Sequence, residues 1–300
     1  MKVVQIQTTS VCNGKCVFCP YKDSWFVKNP GVMPEKLYLK ILNDIKEIDP
    51  EFKGKFCPYM CNEPFSDKDI IKRIKQAIEI LHDPYVEVSS NFVLLTKKKI
   101  DELLAVYEQH EWRGRVMISH HGINKAQYER VMGLPWGKAL DNLKYFVKQA
   151  DGRLKLYLHT AIESHDAKYF VNSLSAVAYF WKSFFIDNNL PLHNVQIYPL
   201  KIHNRAGNVK LKDWKFNYRV RDIGPSAPFD CPRLHNHTHV LYSGEVVLCC
   251  NDYQHETVMG DLNKQSLAEI LANSPHIKMA KGEIESPADF LCKRCQFVGA

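Results

Sequence analysis

The sequence predicts an α/β protein: a partial (β/α)6 barrel followed by a small C-terminal α+β unit. Two observations carry that expectation. Short β-branched or apolar runs alternate with amphipathic stretches of helical period through the first two thirds of the chain, as in strand–helix units that close a parallel sheet. After residue 208 the alternation stops, and a second set of cysteines begins at Cys231.

Strands are expected at residues 3–8, 55–60, 85–90, 115–119, 154–159 and 194–200, with helices at 34–48, 67–82, 97–110, 137–150 and 167–187. Six strands fall short of the eight of a complete barrel, so the sheet should stay open along one side. Right-handed crossovers put the active mouth at the C-terminal ends of the strands. The organisation is thus a barrel over 1–210, a polar connector over 211–230 punctuated by Gly224, Pro225 and Pro228, and a second unit over 231–300. In that unit HTHVLY and EVVLCC are strand-like runs joined by Ser243-Gly244, a hairpin signal, and 266–272 reads as a brief helix. Its apolar residues are few, so its core should be weak and would profit from a metal cluster as a staple.

A chain of 300 residues with 45% hydrophobic residues can bury one large core, or a medium core and an appendage. No stretch approaches the roughly 20 apolar residues of a membrane span, and MKVVQIQTTSVC lacks a charged region followed by an apolar signal core. A cytoplasmic location is expected, without a membrane partner. The net charge of +7 is spread over patches such as Lys97, Lys98 and Lys99, or Lys210, Lys212 and Lys215. Such patches read as solvated faces, so nucleic acid is not an expected partner.

Ten cysteines are the informative excess. In a reducing compartment they point to metal ligation or thiol chemistry rather than structural bridges. Cys12, Cys16 and Cys19 follow the first strand with C-x3-C-x2-C spacing. Three thiolates on a cluster of four irons leave one iron open to another ligand, whereas zinc wants four ligands and paired C-x2-C motifs. The later group offers Cys231, the adjacent Cys249 and Cys250, and Cys292 with Cys295, from which four ligands for iron–sulfur or zinc can be drawn.

The run C-N-G-K-C-V-F-C-P after the first strand, Phe18 included, resembles the signature of the radical S-adenosylmethionine (SAM) superfamily. The resemblance implies a radical SAM barrel, a 4Fe-4S cluster on Cys12, Cys16 and Cys19, and SAM chelated to the open iron. It also implies that Asn62-Glu63-Pro64 is the turn that bonds the SAM amino group, with Asn62 where glycine is commoner. Ser90, Asn91, Ser119 and Glu163 lie where ribose and carboxylate contacts occur in that family. The segment from Gly244 through Cys249 and Met259-Gly-Asp-Leu to Cys292 and Cys295 resembles the shortened SPASM domain called twitch, which holds one auxiliary 4Fe-4S cluster. Asn204-Arg-Ala-Gly-Asn208 is similar to the turn after the last barrel strand in SPASM proteins. Alignment on Gly244 implies Cys249 as the auxiliary ligand beside Cys231, Cys292 and Cys295. Cys250 then stands where sulfatase-maturing relatives carry an aspartate that reaches the substrate, and a thiol there can donate a hydrogen atom.

The implied chemistry is reductive cleavage of SAM and removal of a hydrogen atom from an unactivated C–H bond, supplied with electrons by an external donor such as flavodoxin or ferredoxin. Epimerisation of a small aminoglycoside or sugar-type molecule through Cys250 is the favoured outcome. Oxidation through the auxiliary cluster and peptide modification are the alternatives within the family, and a non-catalytic cluster- or zinc-binding protein is the alternative outside it. A polycationic substrate would need acidic residues such as Asp230, Asp252 and Glu163 in its pocket. Cys57 and Cys61 read as buried packing residues, His235, His237 and His239 as an alternating set on one strand, and His120-His121 as a pair facing the barrel mouth.

Overall fold

The computed structural model describes residues 1–161, 170–200, 202–210 and 231–296, so Glu163, Asp230 and the connector 211–230 lie outside the described residues. Strands β1 (Val3–Ile6), β2 (Lys55–Cys57), β3 (Tyr85–Ser90), β4 (Gly114–Ser119), β5 (Lys155–Thr160) and β6 (Val195–Pro199) pair in parallel in that order. Each falls where a strand is expected. Helices α1 (Trp25–Lys28), α2 (Glu35–Ile48), α3 (Ile70–Leu81), α4 (Lys97–Gln109), α5 (Lys125–Met132), α6 (Trp136–Ala150) and α7 (Phe170–Asp187) lie between them. Of these, α1 and α5 are not foreseen.

The helices follow their apolar period. Ile70, Ile74, Ala77 and Leu81 of α3 recur every third or fourth residue and are all buried. Two N-caps are explicit: the Thr96 side chain accepts from Lys99 N–H at the start of α4, and Asn124 accepts from Gln127 N–H at the start of α5. In the strands the period is two. Val86, Val88, Val116, Ile118, Leu156 and Leu158 pack in one cluster with helix residues such as Leu103, Leu143 and Trp181. The alternate positions carry polar side chains into the opposite face, where the Glu87 carboxylate meets Lys55 Nζ at 3.0 Å, the Tyr59 hydroxyl and the Arg115 guanidinium.

The C-terminal unit adds α8 (Pro232–Asn236), β7 (His237–Val240), β8 (Glu245–Val247), β9 (Val258–Asp261), α9 (Leu267–Asn273) and α10 (Pro275–Lys281). The hairpin signal at Ser243-Gly244 holds, with β7 and β8 antiparallel around it and Gly244 at φ 94. Ser266 and Glu269 form a capping box that starts α9. The core differs from the expectation of a weak separate one. β7 pairs in parallel with β1, matching Val3 with His237 and Gln5 with His239, so one nine-stranded sheet runs β6-β5-β4-β3-β2-β1-β7-β8-β9. Val240, Val246, Leu262, Leu267 and Ile270 accordingly pack with Val4, Ile6, Leu37 and Ile41 of the barrel. The physical reason is that β1 would otherwise expose an edge of unpaired N–H and C=O groups, which β7 covers.

Candidate active site

The loop after β1 carries the first cysteines and is fixed at several points. The Tyr21 hydroxyl donates to the Ser10 carbonyl at 2.9 Å and accepts from Cys12 N–H at 3.0 Å. Lys15 and Val17 N–H donate at 2.9 Å to the carbonyls of Met132 and Val131 at the end of α5. A β-carbon on Gly14 would sit 3.6 Å from Cys16 Sγ and 3.7 Å from Cys12 Sγ, so both sulfurs turn to one spot beside the bare glycine. Burial, then the Glu63 carboxylate, pushes the Cys12 thiol up to about 12. Burial and the neighbouring Cys19 and Cys12 push Cys16 well above the ordinary thiol range. Two crowded thiols, Cys12 and Cys16, that resist ionisation are what a cationic iron core would relieve.

Glu63 gathers the second set of residues. Its Oε1 accepts from the Ser90 hydroxyl at 2.7 Å and Phe65 N–H at 3.2 Å, and its Oε2 accepts from Asn91 N–H at 2.9 Å. Glu63 N–H donates to the Val11 carbonyl at 3.1 Å, and the Asn91 amide donates to the Asn13 side chain at 2.7 Å. The turn and the β3 end are thereby tied to the cysteine loop. Burial raises the Glu63 carboxyl to about 7 despite the bonds from Asn91, Ser90 and Phe65. Asn62 replaces the commoner glycine without a left-handed backbone, because its Oδ1 accepts from Met60 N–H at 2.9 Å while its buried Nδ2 has no partner. Pro64 opens the short helical turn that follows. Ser119 ends β4 opposite His159, and Phe18 is buried with its ring edge-on to His121 at 4.8 Å.

Cys231, Cys249, Cys292 and Cys295 line a single cavity, with Ala206 and Leu291 among its walls. Burial, with Cys295 and Cys231 nearby, pushes Cys292 up to about 12. Arg233 Nη1 points at Cys249 Sγ from 3.9 Å, and the sulfurs of Cys250 and Cys249 hold its guanidinium charged although burial opposes that.

Cys250 does not line this cavity. Its carbonyl accepts a 3.2 Å bond from the Cys61 thiol, and the His239 ring stands close by without reaching hydrogen-bond geometry. The neighbouring thiols act on each other, which drives Cys249 up and holds Cys250 down. Tyr253 closes the gap toward the first group, with its hydroxyl 4.0 Å from Cys19 Sγ. The Cys61 and Tyr253 side chains therefore lie between the Cys250 peptide unit and the first cysteine group.

Several expected roles change. His120 is boxed by the rings of Tyr128, Trp136, Phe180 and Trp181 rather than facing the mouth, and His121 Nδ1 accepts from Ala161 N–H at 3.1 Å. Both are packed too deeply to ionise readily, burial lowering each to about 3. Asp252 spends its carboxylate on Glu256 N–H, Thr257 N–H and the Thr257 hydroxyl, so it folds a turn and offers nothing to a cationic substrate. The Cys57 thiol donates to Glu87 Oε1 at 3.6 Å inside the sheet.

A model of the radical SAM superfamily matches residues 6–162, more than half of the chain. The chain belongs to the radical SAM superfamily. A model of the SPASM iron–sulfur cluster-binding domain matches residues 231–296. Among solved structures, this radical SAM chain is similar to BtrN in complex with AdoMet and 2-DOIA, at TM-score 0.61 and 18% identity over 99% of this chain and 94% of that one. It is similar to Streptococcus suis SuiB bound to the precursor peptide SuiA, at TM-score 0.63 and 15% identity over 98% of this chain and 70% of that one. It also resembles anSMEcpe with bound AdoMet, at TM-score 0.61 and 13% identity over 99% and 89% of the two chains. At these identities the likeness is one of fold. The sequence matches no curated protein.

A radical SAM enzyme carries a 4Fe-4S cluster and SAM, and the SPASM domain implies further iron–sulfur. The cysteines fit such groups. Among the described residues no three His, Cys, Asp or Glu side chains close around a single metal ion. The alternating His237 and His239, with ring centroids 5.7 Å apart, take no part in a single-ion site either. Sequence reasoning missed Tyr253, Tyr21 and Arg205. Arg205 was visible only as part of the Asn204-Arg-Ala-Gly-Asn208 turn, and nothing local marks the two tyrosines.

Proposed function

We propose that this radical SAM enzyme is a cytoplasmic epimerase of a small molecule, in which Cys250 returns a hydrogen atom to the substrate. The observation that supports this reading is the divergence of two adjacent thiols. Cys249 shares a cavity with Cys231, Cys292 and Cys295, while Cys250 stands outside it beside Cys61 and His239. Cys12, Cys16 and Cys19 would hold the first cluster, and Glu63, with Ser90 and Asn91 behind it, the SAM amino group. Phe18, Asn62, Pro64, Ser119 and Glu163 complete the SAM site that the family resemblance implies. When bound, the cluster and SAM supply the one-electron chemistry that removes a hydrogen atom from an unactivated C–H bond.

The protein's own step is the return of hydrogen. The Cys250 S–H bond breaks and a C–H bond forms at the substrate radical, downhill because the S–H bond is the weaker. The sulfur radical left behind takes one electron, supplied by an external donor such as flavodoxin or ferredoxin, and one proton from solvent. The donor must be protonated, and the chief cause that holds Cys250 down is the Cys249 thiol. Were Cys249 bound to iron, that cause would be gone and the negative charge next door would oppose ionisation of Cys250, against the lowering by Arg233 and His239 that remains.

The test is turnover of candidate polyols in deuterated water, followed by mass spectrometry. Wild-type enzyme should put one deuterium at the inverted carbon. Cys250→Ala should keep both clusters and still cleave SAM with substrate present, yet yield no inverted product. A ketone about two mass units lighter, without solvent deuterium, would instead identify a dehydrogenase that passes an electron to the auxiliary cluster.

A further inference from the structure

Among the described residues, the buried and half-buried arginines have counter-charges, with one exception. Arg73 meets Asp67 at 2.8 Å, Arg115 meets Glu87, Arg294 meets Glu256, and Arg233 faces the sulfur of Cys249. Arg205 is half-buried, its Nε lies entirely out of solvent, and among the described residues nothing pairs with its guanidinium. A cation left so is costly unless something else completes the pair.

The backbone that presents it is strained and heavily braced. Arg205, Ala206 and Gly207 are left-handed in succession, at φ 47, 55 and 84, and two of them are not glycine. Asn208 Nδ2 donates to the Arg205 carbonyl at 2.8 Å, Arg205 N–H donates to His203 Nδ1 at 3.1 Å, and Asn204 bonds Arg294 and Gln296 at 2.7 and 2.9 Å. The turn stands beside the second cysteine group, since Ala206 lines the cavity of Cys231, Cys249, Cys292 and Cys295 and Asn208 Nδ2 donates to the Asn251 carbonyl, and the charge it carries is felt at Cys61 and Tyr253 toward the first group. The buried carboxylates on that side, Glu63 and Asp252, are already saturated by Ser90, Asn91 and Phe65, or by Glu256 and Thr257. Fully buried Asn251 has both side-chain polar atoms unpartnered beside the same turn, with its carbonyl taking a 3.2 Å bond from Asn208.

We infer that Arg205 anchors an oxyanion of the substrate, a phosphate or carboxylate, in the space between the two cysteine groups. This rests on the reading of a small-molecule substrate in that space, and it turns the substrate class from polycationic aminoglycosides to acidic polyols. A guanidinium suits the role because its planar fork binds two oxygens at once.

Isothermal titration of the reconstituted, SAM-loaded enzyme with inorganic phosphate, acetate and the polycation kanamycin tests it. At least one anion should bind in the millimolar range and kanamycin should not. Arg205→Gln should weaken that anion by about tenfold or more, and Arg205→Lys by less. SAM affinity and the electron paramagnetic resonance spectra of both clusters should stay as in wild type, which also certifies that the variants fold. Absence of anion binding, equal binding by the glutamine variant, or binding of kanamycin alone would overturn the assignment. So would a loss confined to SAM affinity or to the cluster spectra, which would assign the guanidinium to the SAM carboxylate or to the clusters. Failure of the epimerase reading shows separately, as product without solvent deuterium, and leaves the anion titration unaffected.

Discussion

The Cys61 thiol donates a 3.2 Å hydrogen bond to the backbone carbonyl of Cys250, across 189 residues of sequence. One cysteine of the β2 turn thus fixes the peptide unit on which the proposed hydrogen donor hangs. Burial pushes Cys61 well above the ordinary thiol range, with Cys250 and Cys19 adding to it, so it remains a donor at neutral pH.

Cys61→Ala should therefore leave iron content intact and lower the yield of inverted product per 5'-deoxyadenosine formed by about three- to tenfold, the worth of one positioning hydrogen bond. Cys61→Ser, whose hydroxyl can make the same bond, should recover most of the loss. Equal yields from wild type and Cys61→Ala would show that the clamp has no part in donation.

Anaerobic reconstitution should load about eight irons and eight sulfides per chain, since each cysteine group would ligate one cube. Joint replacement of Cys12, Cys16 and Cys19 by alanine should halve the iron and abolish SAM cleavage. Cys249→Ala should lose the other half while Cys250→Ala loses none, because only Cys249 shares the cavity of Cys231, Cys292 and Cys295. The opposite pattern would exchange ligand and donor. Stoichiometric zinc with little iron would dismiss both clusters.

The Glu63 carboxyl, raised to about 7 by burial, is largely protonated just below neutrality. An iron-bound SAM amino group would donate its N–H to the carboxylate, so binding must first expel the Glu63 proton. SAM affinity should fall by about tenfold per pH unit as pH drops from 7 to 5, and level off above 8. Glu63→Gln should bind SAM weakly at every pH with no such slope. Calorimetric titration across that range checks both, and a flat wild-type profile would place the SAM amino group elsewhere.

The strands and the main helices were legible because their signals are local: Val86 and Val88 alternate with Glu87, and α3 repeats its apolar residues every turn. The cysteine spacings were legible for the same reason. Helix α5 was overlooked although Asn124 and Gly133 mark its two ends, since few of its residues are apolar. HTHV reads as a strand, but no periodicity can name a partner more than two hundred residues away, so the pairing of β7 with β1 had to come from the fold. Arg205 shows the same limit in another form. That no described residue offers its guanidinium a counter-charge is a property of what surrounds it in space.

That β1–β7 ladder has a consequence for how the two redox groups tolerate change. Gln5 opposes His239 and Ile6 opposes Val240, so the loop that begins the first cysteine set and the hairpin that leads to Cys249 are bolted to neighbouring rungs. The gap between them is gauged by the spacing of neighbouring strands. A single inserted residue in β7 would slip the rungs and reverse which side chains face the interior, detuning both electron traffic and hydrogen delivery at once, even though every cysteine remained in the chain.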